Sequence, residues 1–551
     1  MTLTKTMKLR LITVPLLIML PGAINAQPSN ALAEAWVGTI ETKDKTQFIT
    51  ISLSETSGQL SIPLDGLTVN FSSVRWEGSR LWCEIDQGAV KARLTGTLTG
   101  DELVGEAETT GTKGVLHLVR SKYLPPDVVA GYAGAYRFAD GGFLLIDHFA
   151  NLPNMLVVTD TRTDEVRAIF PTSDTQFCAG SALFVPYPRS EKFVFRKKPG
   201  GTIELRLTRR HRREIETARR IPISQEEVHF NNGDVKLAGI LLMPPPGPAR
   251  HPAIVFTHGG GPAVRELFWG LGYLFAARGF AVLTYDKRGA GHSTGNWREA
   301  SFEDLADDAV AGAKFLASRP NVEAHQIGFW GLSQGGWIAP LAASRLSTSA
   351  FAIAMSGGGL SPAEQELFDS AYELGKAGFA QREIEDALAF QRLKNEIIRS
   401  GEPWDEYTEA RLVAKDQKWF RVPGIDVRGP EKRDDRSWAN WRRFYLYDPA
   451  PALRGLKCPL LTIFGELDTP EGVKANVRAI RNVLDSAGKR SYELRVYSNG
   501  RHNLMEVPRD HPEDFVRIQR FVPGLFAHLL AWTQKQVSPL RARDGKTRLG
   551  R

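Results

Sequence analysis

Three cysteines in 551 residues, Cys83, Cys178 and Cys458, are too few and of the wrong parity for a disulfide framework. They permit at most one bridge, Cys83 with Cys178, against the reading of two buried thiols. No Cys/His cluster has metal-ligand spacing, so no metal site is expected. Long apolar runs are missing as well. The stretch 11–20 falls short of the roughly 20 residues that a membrane helix needs. It lies behind Lys5, Lys8 and Arg10 and ahead of Pro21-Gly22 and the small-residue end Ala23-Ile24-Asn25-Ala26. This arrangement reads as a signal peptide, 1–26, with export to the periplasm or medium, a mature start near Gln27 and no stable membrane insertion afterwards. No Cys follows the cut to carry a lipid.

A strong charge of one sign is also lacking. The formal net charge is +8, and three of those cations leave with the signal peptide. The remaining excess sits in Arg209-Arg210-His211-Arg212-Arg213 with Arg219 and Arg220, read as the solvated face of a basic linker. A second group, Arg541, Arg543, Lys546, Arg548 and Arg551, forms a basic tail over 536–551. Nucleic acid is therefore not an expected partner. What the chain does have is apolar content: 42% hydrophobic against 24% charged residues is enough for large cores and excludes a disordered chain.

Period-two alternation dominates the first part. Ile49, Ile51 and Leu53 alternate with Thr50 and Ser52, as do Leu81, Cys83 and Ile85, with turn signals at Ser57-Gly58, Asp65-Gly66 and Gly100-Asp101. This predicts an all-β domain over 27–122, an antiparallel sandwich or small barrel. A second β region with the basic linker follows over 123–222. Trp36-Val37-Gly38 and Tyr132-Ala133-Gly134 open the two regions alike, a similarity better ascribed to coincidence than to a repeat. From 223 the pattern changes. A hairpin turning at Gly233-Asp234 ends in Pro244-Pro245-Pro246, and apolar runs at 253–256, 281–284, 327–330, 351–355, 460–464 and 494–496 suit parallel strands covered on both faces. Helical periods lie between them, one begun by the cap pair Ser301 and Asp304. The prediction is an α/β sheet over 223–359 and 454–535, interrupted by a helical cap at 360–453 whose aromatic residues Trp438, Trp441, Phe444 and Tyr445 roof the site or pack the cap onto the body.

Gly-x-Ser-x-Gly occurs twice. Gly291-His292-Ser293-Thr294-Gly295 follows a strand only after a loop and leads into Asn296-Trp297, which makes Ser293 a loop residue. Gly331-Leu332-Ser333-Gln334-Gly335 comes straight off an apolar strand and runs into a small-residue helix, the context that lifts a serine to the end of a sheet. Ser333 is the candidate nucleophile. Such a serine needs a base held by a carboxylate. His502 lies in a turn-forming loop after the last strand, whereas His258 and His292 precede the serine. Gly465-Glu466-Leu467-Asp468 follows the strand 460–464, and Asp468, farther into the loop, is preferred to Glu466. His258-Gly259-Gly260-Gly261-Pro262 can bring bare backbone to an oxyanion, so Gly259, Gly260 and Gln334 are the candidate N–H donors. No Lys-Ser/Thr follows these glycines as a phosphate loop requires, and Gly289-Ala290-Gly291 lacks the third glycine of a dinucleotide fingerprint.

From about Val228 to Trp532 the chain resembles the α/β-hydrolase superfamily. Three runs carry the likeness: Tyr285-Asp286-Lys287-Arg288-Gly289-Ala290-Gly291-His292-Ser293-Thr294-Gly295; Ser301-Phe302-Glu303-Asp304-Leu305-Ala306; and Gly331 through Pro340. Together they look like bacterial serine carboxylesterases with an extra N-terminal domain. The resemblance implies a Ser-Asp-His triad, a small-molecule ester substrate, no metal and no organic cofactor; it leaves the ligand of the N-terminal β region open. Two other readings compete. A prolyl-oligopeptidase type of serine peptidase would need repeated four-stranded blades of ~40 residues, which are not visible. An envelope-binding protein with a relic hydrolase domain has no physical reason to keep all three groups in the right loops.

Overall fold

The computed structural model describes residues 34–537 apart from 44, 88–89, 110–111, 150–151, 153, 211, 213, 248–249, 266–267, 426, 428, 436–437 and 509–513. The expected signal peptide, and the tail beyond 537, lie outside the described residues. Among the described residues no helix is long and apolar enough to cross a membrane.

The first β region is a nine-stranded antiparallel meander. Its first strand, Glu34–Glu41, pairs with both Thr46–Leu53 and the ninth strand, Thr112–Ser121. The two edges are consecutive strands, Leu67–Asn70 and Ser73–Glu77, so the sheet comes round almost on itself over Trp36, Ile49, Leu81, Cys83, Leu103 and Leu118. The second β region is a closed barrel of eight strands from Gly134–Phe138 to Glu216–Arg220, sealed by Tyr136↔Arg220 and Phe138↔Ala218.

Here the structure corrects the basic linker. Arg209 ends the strand Ile203–Arg209 and is half-buried in ion pairs with Asp160 at 2.7 Å, Glu191 at 2.8 Å and Glu216 at 2.7 Å. Arg219 and Arg220 lie in the closing strand. These carboxylates come from other strands of the barrel, so nothing adjacent in sequence marks Arg209 as paired. Arg210 and Arg212 are exposed, as a solvated face requires. All three cysteines are free, buried thiols.

The barrel strand Phe143–Asp147 is fully buried although its sheet is antiparallel. Its alternate residues serve two cores: Leu144 and Ile146 fill the barrel, while Phe143 and Leu145 join a cluster with Ile254, Phe256, Phe275 and Trp330 of the C-terminal part. Both faces are thus covered, which explains a continuous apolar run where alternation is the rule. At this contact Gly270 has φ +84°, and a Cβ there would lie 2.7 Å from Leu145 Cβ. Its N–H donates to Asp147 Oδ2 at 2.9 Å. Burial pushes the Asp147 carboxyl up to about 7, against the pull of that bond and one from the His148 N–H.

Elements of the C-terminal part are numbered from Ser224. The hairpin β1 (Ser224–Asn232) and β2 (Val235–Met243) leads to β3 (His251–Thr257), α1 (Leu271–Ala277), β4 (Ala281–Tyr285), α2 (Phe302–Ala317), β5 (Val322–Leu332), α3 (Gln334–Arg345) and β6 (Ser349–Met355). The cap follows, with α4 (Pro362–Lys376), α5 (Gln381–Ser400), α6 (Trp404–Ala414), α7 (Trp438–Tyr445) and α8 (Ala450–Gly455). The chain then returns through β7 (Leu460–Gly465), α9 (Pro470–Ser486), β8 (Tyr492–Tyr497) and α10 (Leu525–Val537). The sheet order is β1-β2-β4-β3-β5-β6-β7-β8, with β3 to β8 parallel. All six runs are strands of this sheet, but the last, in the edge strand β8, is not covered on both faces: Arg495 and Val496 are exposed. The order reverses at β3, between β4 and β5, where open α/β sheets place their ligands at the C-terminal strand ends.

Ser301 and Asp304 cap α2 reciprocally, Ser301 Oγ accepting the Asp304 N–H at 3.0 Å and Asp304 Oδ2 the Ser301 N–H at 2.8 Å. The cap enters through Gly359 and Leu360, whose N–H groups both donate to Asn476 Oδ1 at 3.0 Å. Its aromatic group is spent on packing. Phe444 and Tyr447 stack on Phe302, with centroids at 5.6 and 4.4 Å, Trp441 lies on Tyr445 at 5.2 Å, and Trp438 faces Trp404 at 5.8 Å. These are contacts within the cap and onto the body, the second of the two roles expected for them.

Candidate active site

Ser333 stands between β5 and α3 at φ +59°, ψ −123°. A non-glycine residue there stores about 1–3 kcal/mol of strain and needs neighbours that hold it. Its N–H donates to Met355 O at 2.9 Å, and its carbonyl accepts the Gly336 N–H at 2.7 Å. The motif glycines follow from close approach. A Cβ on Gly331 would lie 2.1 Å from Gly335 O, and one on Gly335 2.9 Å from Thr257 O, so larger residues would drive α3 off β3.

Ser293 has a different environment. It is buried, its Oγ donates to Asp286 O at 2.7 Å and accepts the Ala238 N–H at 3.0 Å, and it thereby ties the loop after β4 to β2.

In the loop after β8, His502 Nδ1 lies 2.8 Å from Asp468 Oδ2 in the loop after β7. Glu466 is exposed, and its carboxylate accepts the Asn499 N–H at 3.4 Å. The structure therefore brings Asp468 rather than Glu466 to the histidine. Ser356 Oγ, just beyond β6, donates to His502 O at 2.7 Å, and Gly357 lies against Ser333 O, so the residues after β6 bridge the two loops. His502 Nε2 is buried without a hydrogen-bond partner among the described residues. No hydrogen bond joins it to Ser333, a contact that in ligand-free sites often tightens only with substrate. Burial pulls the His502 imidazolium down, but the charge of Asp468, its hydrogen bond and the charge of Asp369 outweigh that and hold it above its ordinary 6.5. His258 is spent on Tyr285 O, and burial, assisted by the charge of Lys287, pushes it down to about 4. His292 is exposed.

The glycine-rich loop after β3 passes beside the nucleophile position: a Cβ on Gly259 would lie 3.7 Å from Ser333 Cβ, and one on Gly260 would meet nothing within 4 Å. Gln334 begins α3, so its N–H is one of the free donors at that helix end. The structure thus gathers Ser333, Gly259, Gly260 and Gln334 at the ends of β3 and β5, and Asp468 with His502 at the ends of β7 and β8.

Two polar residues escaped sequence reasoning. Asp369 on α4 accepts from Thr469 Oγ1 and Gln365 Nε2, both at 2.8 Å. Burial, with the nearby charge of Asp468, pushes its carboxyl up to about 6. Lys287 is fully buried beside the glycine loop. Its place in the run Tyr285-Asp286-Lys287-Arg288 gave a signal, a cation directly after a buried strand; Asp369 gave none. Among the described residues no group of three or more His, Cys, Asp or Glu is placed to hold a metal ion.

Residues 254–518 match the model of the alpha/beta hydrolase family. The C-terminal part of the chain has the alpha/beta hydrolase fold. Sequence relatives include a thiohydrolase, aneE, of Aspergillus aculeatus, 36% identical over 20% of this chain and 34% of its own length. The quorum-quenching protein AidA of Acinetobacter baumannii is 30% identical over 21% of this chain and 38% of its own. Esterase EstD of Thermotoga maritima is 25% identical over 43% of this chain and 52% of its own. The alignments thus span about a third to a half of these relatives. Among solved structures, the alpha/beta hydrolase GrgF from Penicillium sp. sh18 aligns with a TM-score of 0.34 at 18% identity, over 57% of this chain and 99% of that one.

Proposed function

We propose that the protein is an exported serine carboxylesterase that cleaves short to medium acyl esters through an acyl-enzyme. The observation that carries this reading is the Asp468–His502 pair at 2.8 Å on the sheet edge where Ser333 occupies its strained turn. Ser333 Oγ attacks the ester carbonyl while His502 Nε2 takes its proton, and Asp468 fixes the imidazole with the proton on Nδ1. The N–H groups of Gly260 and Gln334, with Gly259 shaping the turn, receive the oxyanion. His502 then protonates the leaving alcohol, and water repeats the sequence on the acyl group. The relative named an esterase supports an ester over an amide, and a nine-stranded sheet and closed barrel, in place of propeller blades, speak against a prolyl-oligopeptidase type of peptidase.

Chain length tests the substrate. The cap helix α4 sets Asp369, held by Gln365 Nε2, against Thr469, beside Asp468. We take this polar contact as one wall of the acyl site, which gives a long acyl chain little apolar surface to bury against. Each methylene gains only ~0.8 kcal/mol until the wall is reached. Across a graded series of p-nitrophenyl esters, kcat/KM should peak at short to medium acyl chains; a continued rise into long lipid chains would overturn that preference.

The pH profile follows from His502. Only the neutral imidazole acts as base, and its folded-state pKa is raised, so kcat/KM should be low in acid and climb through a pH above 6.5. A climb centred below that value, measured on an ester with no titrating group, would show that the Asp468 and Asp369 charges do not act on the base.

A further inference from the structure

Three glycines in succession, Gly259 to Gly261, have the freest backbone that a chain can offer, and Gly260 has no neighbour against which a side chain could hold it. An oxyanion donor must nevertheless be fixed before the reaction starts. Lys287, in the loop after β4, meets that need. Its Nζ donates to Gly259 O at 2.9 Å, Gly261 O at 3.2 Å and Gln334 Oε1 at 2.5 Å. Its own N–H donates to Ala263 O at 3.0 Å, so main chain and side chain hold the two ends of the same loop. An ammonium has three N–H bonds, and these three acceptors use them all.

We propose that Lys287 is a positioning residue that clamps the 259–261 turn to Gln334 and so presets the N–H groups of Gly260 and Gln334 beside Ser333. The geometry is direct. Gly259 C=O and Gly260 N–H belong to one planar trans peptide and point in opposite directions, so a cation gripping the oxygen aims the N–H away from itself. Withdrawing charge from the oxygen also makes that N–H a stronger donor. The third grip fixes the side chain of the residue whose N–H is the second donor. The proposal rests on reading these groups as the oxyanion site of Ser333.

The charged groups around Lys287 are all engaged or held off. Asp308 on α2 is paired with Arg288 at 2.7 Å, Asp286 is bonded to Arg265, and His258 is bonded to Tyr285 O. The Trp297 ring centre lies 5.9 Å from Nζ. No ion pair among the described residues includes Lys287. Burial pushes its ammonium down to about 7 against the pull of Asp308. A neutral amine has two N–H bonds and a lone pair, so above that pH one of the three grips fails.

Two variants test the clamp in the full-length protein. Lys287→Met keeps length and shape without donors and should lower kcat by about 100-fold with KM within about threefold, since the loss falls on the transition state. Fluorophosphonate labelling of Ser333 should slow in parallel. Gln334→Met keeps the backbone N–H but removes one acceptor; it should cost about 10-fold alone and nothing further in the double variant. The wild-type kcat should fall on the alkaline side, and this limb should vanish in Lys287→Met. A wild-type kcat in Lys287→Met, losses that multiply in the double variant, or an alkaline limb that survives would each overturn the clamp. If Lys287→Met fails to fold by thermal melting, an unchanged kcat in Gln334→Met overturns it alone. Ser333→Ala separates the two ideas. Labelling that persists there removes the oxyanion reading and the clamp together, whereas labelling lost there beside a fully active Lys287→Met removes only the clamp.

Discussion

Ser333→Ala should abolish fluorophosphonate labelling and lower ester kcat by about a millionfold, the loss seen when the nucleophile of such a unit is removed, while Ser293→Ala should still label. Both serines occupy the same five-residue pattern, so only their surroundings separate them. Ser333 takes a strained turn that lifts Oγ to the sheet edge, and no side-chain bond to the helix end consumes it. Ser293 is buried and satisfied on both sides, by Asp286 O and the Ala238 N–H. Removing its hydroxyl leaves two buried backbone groups short of a partner, at a cost of about 1–3 kcal/mol. Ser293→Ala should therefore melt several degrees lower yet keep wild-type kcat on whatever fraction is folded. Active-site titration against a thermal melt makes the comparison. Label retained by Ser333→Ala, or lost from a folded Ser293→Ala, would show that the wrong serine was chosen.

The pattern of β3 to β7 was legible because a strand covered on both faces must be apolar throughout, and five such runs stand out from alternating surroundings; β8, an edge strand with Arg495 and Val496 exposed, does not follow that rule. The same rule obscured the barrel. Phe143–Asp147 is covered on one side by the barrel interior and on the other by the C-terminal part, a contact between segments more than a hundred residues apart that no local pattern encodes. Long-range pairing also explains the misread basic run. Arg209 looks solvated until Asp160, Glu191 and Glu216 are brought round the barrel to meet it. Local turn chemistry was enough for the glycine motif, since a strand running directly into a small-residue helix leaves few other conformations open. The choice of Asp468 over Glu466 rested on reach, two residues more of loop, and the structure brings Asp468 to His502. Lys287 and Asp369 differ in kind. Their surroundings come from elements far away in sequence, and a charged residue beside a strand or on an amphipathic helix is ordinarily a surface residue.

Asp468→Asn should lower kcat by about 10⁴-fold with the fold intact, because an amide in that place no longer enforces the imidazole tautomer. His502 Nδ1 lies 2.8 Å from the Asp468 carboxylate; in the proposed reaction that carboxylate accepts the Nδ1 proton and leaves Nε2 to take the serine proton. An amide that turns its NH2 toward Nδ1 donates instead, which puts the ring proton on Nε2 and blocks it as a base. Glu466→Gln should stay within about twofold, since Glu466 is exposed and its carboxylate accepts, among the described residues, only the Asn499 N–H. Asp369 provides the sharper comparison. It raises the His502 pKa by charge alone, without touching the ring, so Asp369→Asn should shift the acid limb of kcat/KM to lower pH while leaving the plateau within a few-fold. A carboxylate that fixes a tautomer changes the height of the profile; one that acts only through its field moves its position. Full profiles for the three variants, with circular dichroism to establish folding, distinguish these cases. Equal plateau losses in Asp468→Asn and Asp369→Asn would mean that the two carboxylates share the histidine, and an Asp468→Asn plateau near wild type would remove Asp468 from the reaction altogether.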